Sequence, residues 1–212
     1  MTTKRTYGDM CGIARALDVV GERWALLIVR ELVLGPKRFT DLRGGMPGLS
    51  SEVLTQRLRE LAQAGVLTRV TLPPPNSARV YELTASGRRL EPVLLALGRW
   101  GSVAPPPSAD AELGVDALVL ALPTLFDARA AGALNTTVEL RLNEQPFRAS
   151  VADGHLDVER GSAERPDAVI TADPASLAAV LWHGGRAGAL QVAGNRRSVA
   201  RFLRLFPLPT EG

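Results

Sequence analysis

At 212 residues, with 46% hydrophobic and 22% charged positions, the chain is long enough for two small domains, each with its own core. It contains no run of about 18 apolar residues, which argues against a bilayer-spanning helix and a membrane partner. The stretch from Met1 to Met10 has basic residues without an apolar segment behind them, so the expected location is cytoplasmic. A single cysteine, Cys11, and two histidines, His155 and His183, are too few for an intrachain disulfide or a zinc cluster. No metal or cofactor is expected. The net charge of +3 hides an asymmetry. From Met1 to Ala104 there are 15 Lys/Arg against 9 Asp/Glu, and from Pro105 onward 10 against 13. A basic half followed by an acidic half predicts that the first half meets a polyanion.

In chain order, Ile13, Ala16, Leu17 and Val20 recur at helical spacing, as do the apolar residues from Leu26 to Leu34, with Gly35-Pro36 as a stop. Phe39 to Arg43 predicts a short helical turn, and Met46-Pro-Gly-Leu49 the connection into the next helix. That helix, Ser50 to Ala64, has Ser50 as its N-cap, a buried stripe of Val53, Leu54, Leu58 and Leu61, and Gly65 as its stop. Val66–Leu72 and Ala78–Leu83 predict a hairpin whose tip holds three prolines. Thr84 to Arg88 then opens a last helix carrying Leu90, Val93, Leu94, Leu97 and Trp100. This order of elements is the winged helix-turn-helix plan.

The proline run after Ala104 predicts a linker over 105–112, dividing a domain at 1–104 from one at 113–212. Leu113 to Ala131 is apolar with helical spacing. Leu134–Leu142, Phe147–Val151, His155–Glu159 and Ala168–Thr171 predict four consecutive strands, read as a meander. Asp173-Pro174 starts a helix through Trp182, and a final helix is expected from about Asn195 to Phe206. The fold class expected is therefore α+β. Neither histidine has a Ser or Asp partner at a recognisable spacing, so an enzyme is not expected.

Cys11, Ala16-Leu-Asp-Val-Val-Gly-Glu-Arg-Trp24, Leu27-Ile-Val-Arg-Glu-Leu32, Arg38-Phe-Thr-Asp-Leu42 and Pro47-Gly-Leu-Ser-Ser-Glu-Val-Leu-Thr-Gln-Arg-Leu-Arg-Glu-Leu61 follow one another in the first half. Through these blocks residues 11–101 resemble the HxlR family of bacterial regulators. The resemblance implies a DNA-binding regulator, expected to be a repressor, that dimerises through its terminal helices on an inverted-repeat operator in double-stranded DNA. On the Ser50 helix the polar face of Ser51, Glu52, Thr55, Gln56, Arg59 and Gln63 is able to read bases, with Ser50 also a DNA-binding candidate, while Lys37, Arg38, Arg57 and Arg59 suit phosphates. Asn76 and Arg79, at or next to the hairpin tip, are expected to supply a second contact. Cys11 matches a position that senses oxidants in some family members.

The second half contains Asp167-Ala-Val-Ile-Thr-Ala-Asp-Pro174, the Leu177-to-Trp182 helix, Gln191-Val-Ala-Gly-Asn195 and Val199-Ala-Arg-Phe-Leu-Arg-Leu-Phe206. Through these blocks residues 113–207 resemble the sterol carrier protein type 2 fold. The resemblance implies an α/β sandwich-like domain with a mainly antiparallel sheet, and an apolar pocket with Leu122, Phe126, Phe147, Leu181, Trp182, Phe202 and Phe206 as candidate lining. The leading expectation is thus a homodimeric DNA-binding regulator whose operator affinity an apolar small-molecule effector modulates. The alternatives are a constitutive or Cys11 redox-controlled DNA binder with a structural second domain, and a small-molecule carrier.

Overall fold

The computed structural model describes residues 6–75, 77–104 and 113–209, and the expected linker at 105–112 lies outside them. The chain forms two compact units, the first ending at Leu94 and the second beginning at Leu95. No helix among the described residues is long and apolar enough to cross a membrane.

In the first unit, helices α1 (Gly12–Val20), α2 (Ala25–Val33), α3 (Phe39–Gly44) and α4 (Ser51–Gln63) precede an antiparallel hairpin of β1 (Leu67–Thr71) and β2 (Arg79–Leu83). Helices α5 (Ala85–Arg88) and α6 (Glu91–Gly101) follow, and the boundary between the two units falls within α6, after Leu94. The core is built from Ile28, Val29 and Leu32 of α2, Leu42 of α3, Leu54, Leu58 and Leu61 of α4, Leu67 and Leu83 of the hairpin, and Leu94 of α6. α4 buries the leucine stripe its sequence spacing predicts, because residues three and four apart share a helix face. α1 behaves differently: only Val20 is buried, and Ile13 and Leu17 remain 73% and 41% exposed. Their helical periodicity is real but faces away from this core.

The expected single last helix is two. α5 ends at Arg88 and α6 starts at Glu91, with Pro92 in its first turn. A proline at this point lacks an N–H and its ring would collide with the Arg88 carbonyl in a continuous helix, so the chain turns between them. Gly87 closes the corner: a Cβ there would overlap the Val66 carbonyl oxygen, so only glycine allows α5 to approach the start of β1.

The second unit holds α7 (Val115–Leu125), α8 (Ala128–Ala131), α9 (Pro174–Trp182) and α10 (Arg196–Phe202) around one sheet. The apolar stretch from Leu113 to Ala131 is thus two helices rather than one, broken at Phe126-Asp127, where the Asp127 carboxylate accepts from the Arg129 and Ala130 amides and caps α8. The sheet has five strands, β3 (Thr136–Leu142), β4 (Gln145–Ala152), β5 (His155–Arg160), β6 (Ala168–Ala172) and β7 (Gln191–Gly194), in the order β5-β4-β3-β6-β7. It is an α+β unit with a mixed sheet, antiparallel except where β3 pairs with β6.

The four-strand meander is therefore corrected: β3, β4 and β5 form one, but β6 returns to the far side of β3 and runs parallel to it. Side chains at the start of β6 explain the return. The Asp167 carboxylate accepts from the Thr136 hydroxyl (2.9 Å) and the Thr137 amide (2.8 Å), fastening β6 beside β3. The connecting segment is held on its way by Glu139, 2% exposed, which accepts from the Ala163 amide at 2.9 Å and from Arg141 Nε at 2.6 Å. β7 was not foreseen as a strand. β5, left at the edge, alternates polar and charged side chains (His155, Asp157, Glu159), a pattern that discourages further pairing.

Candidate nucleic-acid interface

α4 is set by its N-terminal end. The Ser50 hydroxyl accepts from the Val53 amide at 3.2 Å, as the cap expected from sequence. The turn before it is anchored by Met46 and Leu49, 2% and 6% exposed, with Gly48 between them at φ +84°, a left-handed conformation that costs glycine little. The helix thus leaves its turn at a defined angle, with the leucine stripe inward.

The outward face carries Ser51, Glu52, Thr55, Gln56 and Arg59, which together line one shallow groove. The structure brings these side chains together as sequence spacing requires. In the free protein several satisfy one another: Thr55 donates to the Ser51 carbonyl (2.7 Å), Gln56 Nε2 donates to Glu60 (2.9 Å), and Arg43 donates to Ser51 Oγ (3.2 Å). Such exposed bonds exchange readily for base or phosphate contacts of equal strength. Arg59 is exposed and makes no ion pair with a described residue. The face can do what major-groove recognition requires: it presents amide, hydroxyl, guanidinium and carboxylate groups in one patch on a rigid helix.

Two basic residues expected to meet phosphates are placed elsewhere. Arg57 is not on the outward face; its guanidinium bridges Glu22 (3.1 Å) and Glu60, with only 16% of the side chain exposed. It joins α4 to the turn between α1 and α2. The Lys37 ammonium donates to Glu31 at 2.7 Å, and Arg30 holds the other oxygen of the same carboxylate, also at 2.7 Å. Glu31 is 2% exposed, so two cations compensate a desolvated carboxylate. Lys37 is further fixed through its backbone, which exchanges hydrogen bonds with Tyr81 of β2 at 3.0 and 2.8 Å. Both residues position the interface from within. Arg38 remains exposed at the start of α3, its amide donating to Asp41.

In the hairpin, the register pairs Arg69 with Tyr81 and Thr71 with Arg79, so Arg69 and Arg79 lie on one face. Both are exposed, and the Arg69 guanidinium lies 5.9 Å from the Tyr81 ring centroid. Asn76, the other wing candidate, lies outside the described residues. Sequence reasoning missed Arg69 and Arg43. The signal for Arg69 was the alternation of β1, which turns it to the side of Arg79; Arg43, eight residues before Ser51, reaches it only through the fold.

Cys11 is exposed at the N-terminus of α1. The Ile13 and then the Ala14 amides hold its pKa below the ordinary thiol value. Of the second-unit residues expected to line a pocket, Leu122, Phe147, Phe202 and Phe206 are at most 1% exposed, and Phe126, Leu181 and Trp182 are half-buried. Phe206 packs against Phe202 and Phe126 with centroid separations of 5.0 and 6.2 Å, and the Trp182 indole donates to the Phe206 carbonyl at 2.9 Å.

Comparison with known proteins bears on the first half of the chain. The family model described as HxlR-like helix-turn-helix matches residues 19–108. The uncharacterised HTH-type transcriptional regulator sll1512 of Synechocystis sp. is 38% identical over 45% of this chain and 70% of its own length. The regulator YvaP of Bacillus subtilis is 36% identical over 44% of this chain and 88% of its own. Among solved structures, the reduced form of the transcriptional regulator YodB from B. subtilis is 33% identical, covering 47% of this chain and 99% of that one, with a TM-score of 0.41.

Proposed function

The chain belongs to the HxlR-like helix-turn-helix family of transcriptional regulators, and on that premise we propose that it acts as a homodimeric repressor reading an inverted-repeat operator through α4. The observation that carries this reading is the outward face of α4, with Ser51, Thr55, Gln56 and Arg59 in one groove on a capped helix whose opposite face is locked in the core. In B-DNA the major groove admits one such helix, Gln pairs bidentately with adenine and Arg with guanine. Arg38 and the hairpin arginines Arg69 and Arg79 then meet the phosphate backbone or the adjacent minor groove.

Two copies are favoured by apolar residues the first core does not use. Ile13 and Leu17 of α1 and Val93, Leu97 and Trp100 of α6 are exposed, Trp100 to 76%. Exposed aliphatic and aromatic side chains on a helix are characteristic of protein–protein surfaces, and α1 and α6 each carry such residues. Dimerisation would set two α4 helices about 34 Å apart on one side of the duplex.

For the second unit, the burial of Phe147, Phe202 and Phe206 against neighbouring side chains favours a structural module over an effector pocket, since these rings would have to part before a ligand could enter. Genome-wide mapping of bound sites, followed by mobility-shift titration on the recovered sequence, tests the DNA-binding reading. Bound sites should contain an inverted repeat, and Leu97→Glu with Trp100→Glu should give a monomer with weakened operator binding. A parent protein that is monomeric at micromolar concentration and binds half-sites as tightly as repeats would refute it.

A further inference from the structure

The end of the second unit has a charge pattern unlike the rest of it. From Pro174 to Pro209 there are five arginines, Arg186, Arg196, Arg197, Arg201 and Arg204, and no Asp or Glu, whereas residues 105–173 hold twelve acidic and five basic residues. α10 and the 3-10 turn that follows it, Leu203–Leu205, bury Val199, Phe202 and Leu205. Arg196, Arg197, Arg201 and Arg204 are left exposed on the other side. Arg197, Arg201 and Arg204 succeed one another at intervals of four and three residues, so they form one stripe.

Folding does not account for this stripe. Arg196 and Arg197 occupy the first turn of α10, where the positive end of the helix dipole opposes them, and cations four apart repel. The strand arginines of the same unit are arranged otherwise: Arg141 pairs with Glu139, Arg148 with Asp157 and Glu159, and Arg160 with Asp116. None of the four arginines of α10 and the turn after it makes an ion pair with a described residue. The sheet thus neutralises its own arginines, while Arg129, Arg165 and Arg186 are exposed singly and the row formed by α10 and the turn after it is exposed as a group.

We infer that the Arg197–Arg201–Arg204 stripe is a second DNA-contacting surface, binding the phosphate backbone of duplex flanking the site that α4 reads. The inference rests on the DNA-binding reading of the first unit and extends it. Guanidinium groups are weakly hydrated and match phosphate oxygens in pairs. The chain that carries the stripe also carries α4, so a phosphate contact by the stripe would follow docking of α4 as an intramolecular step. Two other polyanions fit less well. Single-stranded nucleic acid is held by exposed aromatic rings, and Phe202 and Phe206 on this element are buried. A lipid surface is held by the apolar face of a helix, and that face of α10 is already packed in the core.

The test is a salt titration of the full-length protein on a mixed-sequence duplex of about 40 base pairs, long enough for backbone contacts beyond α4. The parent is compared with R197Q/R201Q/R204Q and with R38Q/R59Q, the fold of each being checked by thermal melting. Each phosphate contact removed lowers the slope of log affinity against log salt by about 0.9. If the stripe of each protomer in a dimer loses a single contact, the parent should lose about 12-fold more affinity than the triple variant between roughly 50 and 200 mM salt. Should the triple variant melt early, R201Q alone should show a part of the same drop. An unchanged slope in the stripe variants, with a reduced one in R38Q/R59Q, overturns the inference and leaves the reading of α4 intact. Absence of salt-dependent binding by the parent overturns both. Stripe-dependent binding to phosphatidylserine vesicles with an unchanged DNA slope assigns the surface to a membrane and also overturns it.

Discussion

Leu58 and Arg59 are adjacent on α4, and truncating each to alanine should give opposite results. Leu58 is 2% exposed within the first core, whereas Arg59 is exposed in the outward groove. Leu58→Ala removes three carbon groups from an apolar site. At about 0.8 kcal/mol each the transfer loss is roughly 2.4 kcal/mol. The cavity left behind brings the cost to about 2–5 kcal/mol. In a unit of this size that lowers the melting temperature by upwards of about 8 °C. Arg59→Ala removes no core contact and should leave stability within about 0.5 kcal/mol of the parent. Loss of a bidentate base contact worth about 1–3 kcal/mol should weaken operator binding by about 5- to 150-fold per half-site. Differential scanning fluorimetry and a mobility-shift titration, run on both variants below their melting transitions, separate the two effects. If Arg59→Ala binds the operator like the parent, or Leu58→Ala melts like the parent, the assignment of inward and outward faces is wrong.

Arg57→Met should cost about 1 kcal/mol or less in urea denaturation, because Glu22 and Glu60 are 64% and 38% exposed and water screens the pairs, and it should leave the salt slope of DNA binding unchanged. A fall in that slope would mean that Arg57 reaches phosphate after all. For Cys11, the Ile13 and Ala14 amides favour the thiolate, so alkylation by iodoacetamide should rise with pH at a lower midpoint in the native protein than in urea; coincident profiles would remove the basis for a redox role, and identical DNA binding of parent and Cys11→Ser after diamide would remove the role itself. Asp173 caps α9, and the Ser176 hydroxyl, followed by the Ser176 amide, holds its carboxyl below the ordinary carboxylate range. A depressed pKa stabilises the fold above the unfolded value of about 3.9, and this contribution is lost as pH falls through the folded value. Asp173→Ala should therefore be less stable than the parent by about 0.5–2 kcal/mol at neutral pH, with the gap closing in acid; a gap that persists at pH 2 would show that ionisation is not its source.

Much of the interface could be read from the sequence because it is local. Ser50 caps the helix it precedes, and Leu54, Leu58 and Leu61 define its buried side by spacing alone. The outward set of Ser51, Thr55, Gln56 and Arg59 follows as the complement of that stripe. Charge roles were less legible. Arg57 and Lys37 look, as residue types, like phosphate ligands, yet the partners that engage them, Glu22 and Glu31, are invisible to a reading of periodicity. In the second unit four of the five strands were legible from alternation, but β6 beside β3 depends on Asp167 reaching Thr136 and Thr137 some thirty residues earlier.

The type of every strand and helix but β7, the caps and the outward face of α4 were thus determined by the order of residues alone, since each depends on neighbours within about one helical turn or a pair of strand positions. Only the tertiary structure decided which cations are engaged inside the protein, that Ile13 and Leu17 of α1 face outward, and that the last helix of an acidic half carries an exposed row of arginines. Those outcomes depend on which distant carboxylate or apolar surface each side chain meets, and residue type and spacing do not encode that meeting.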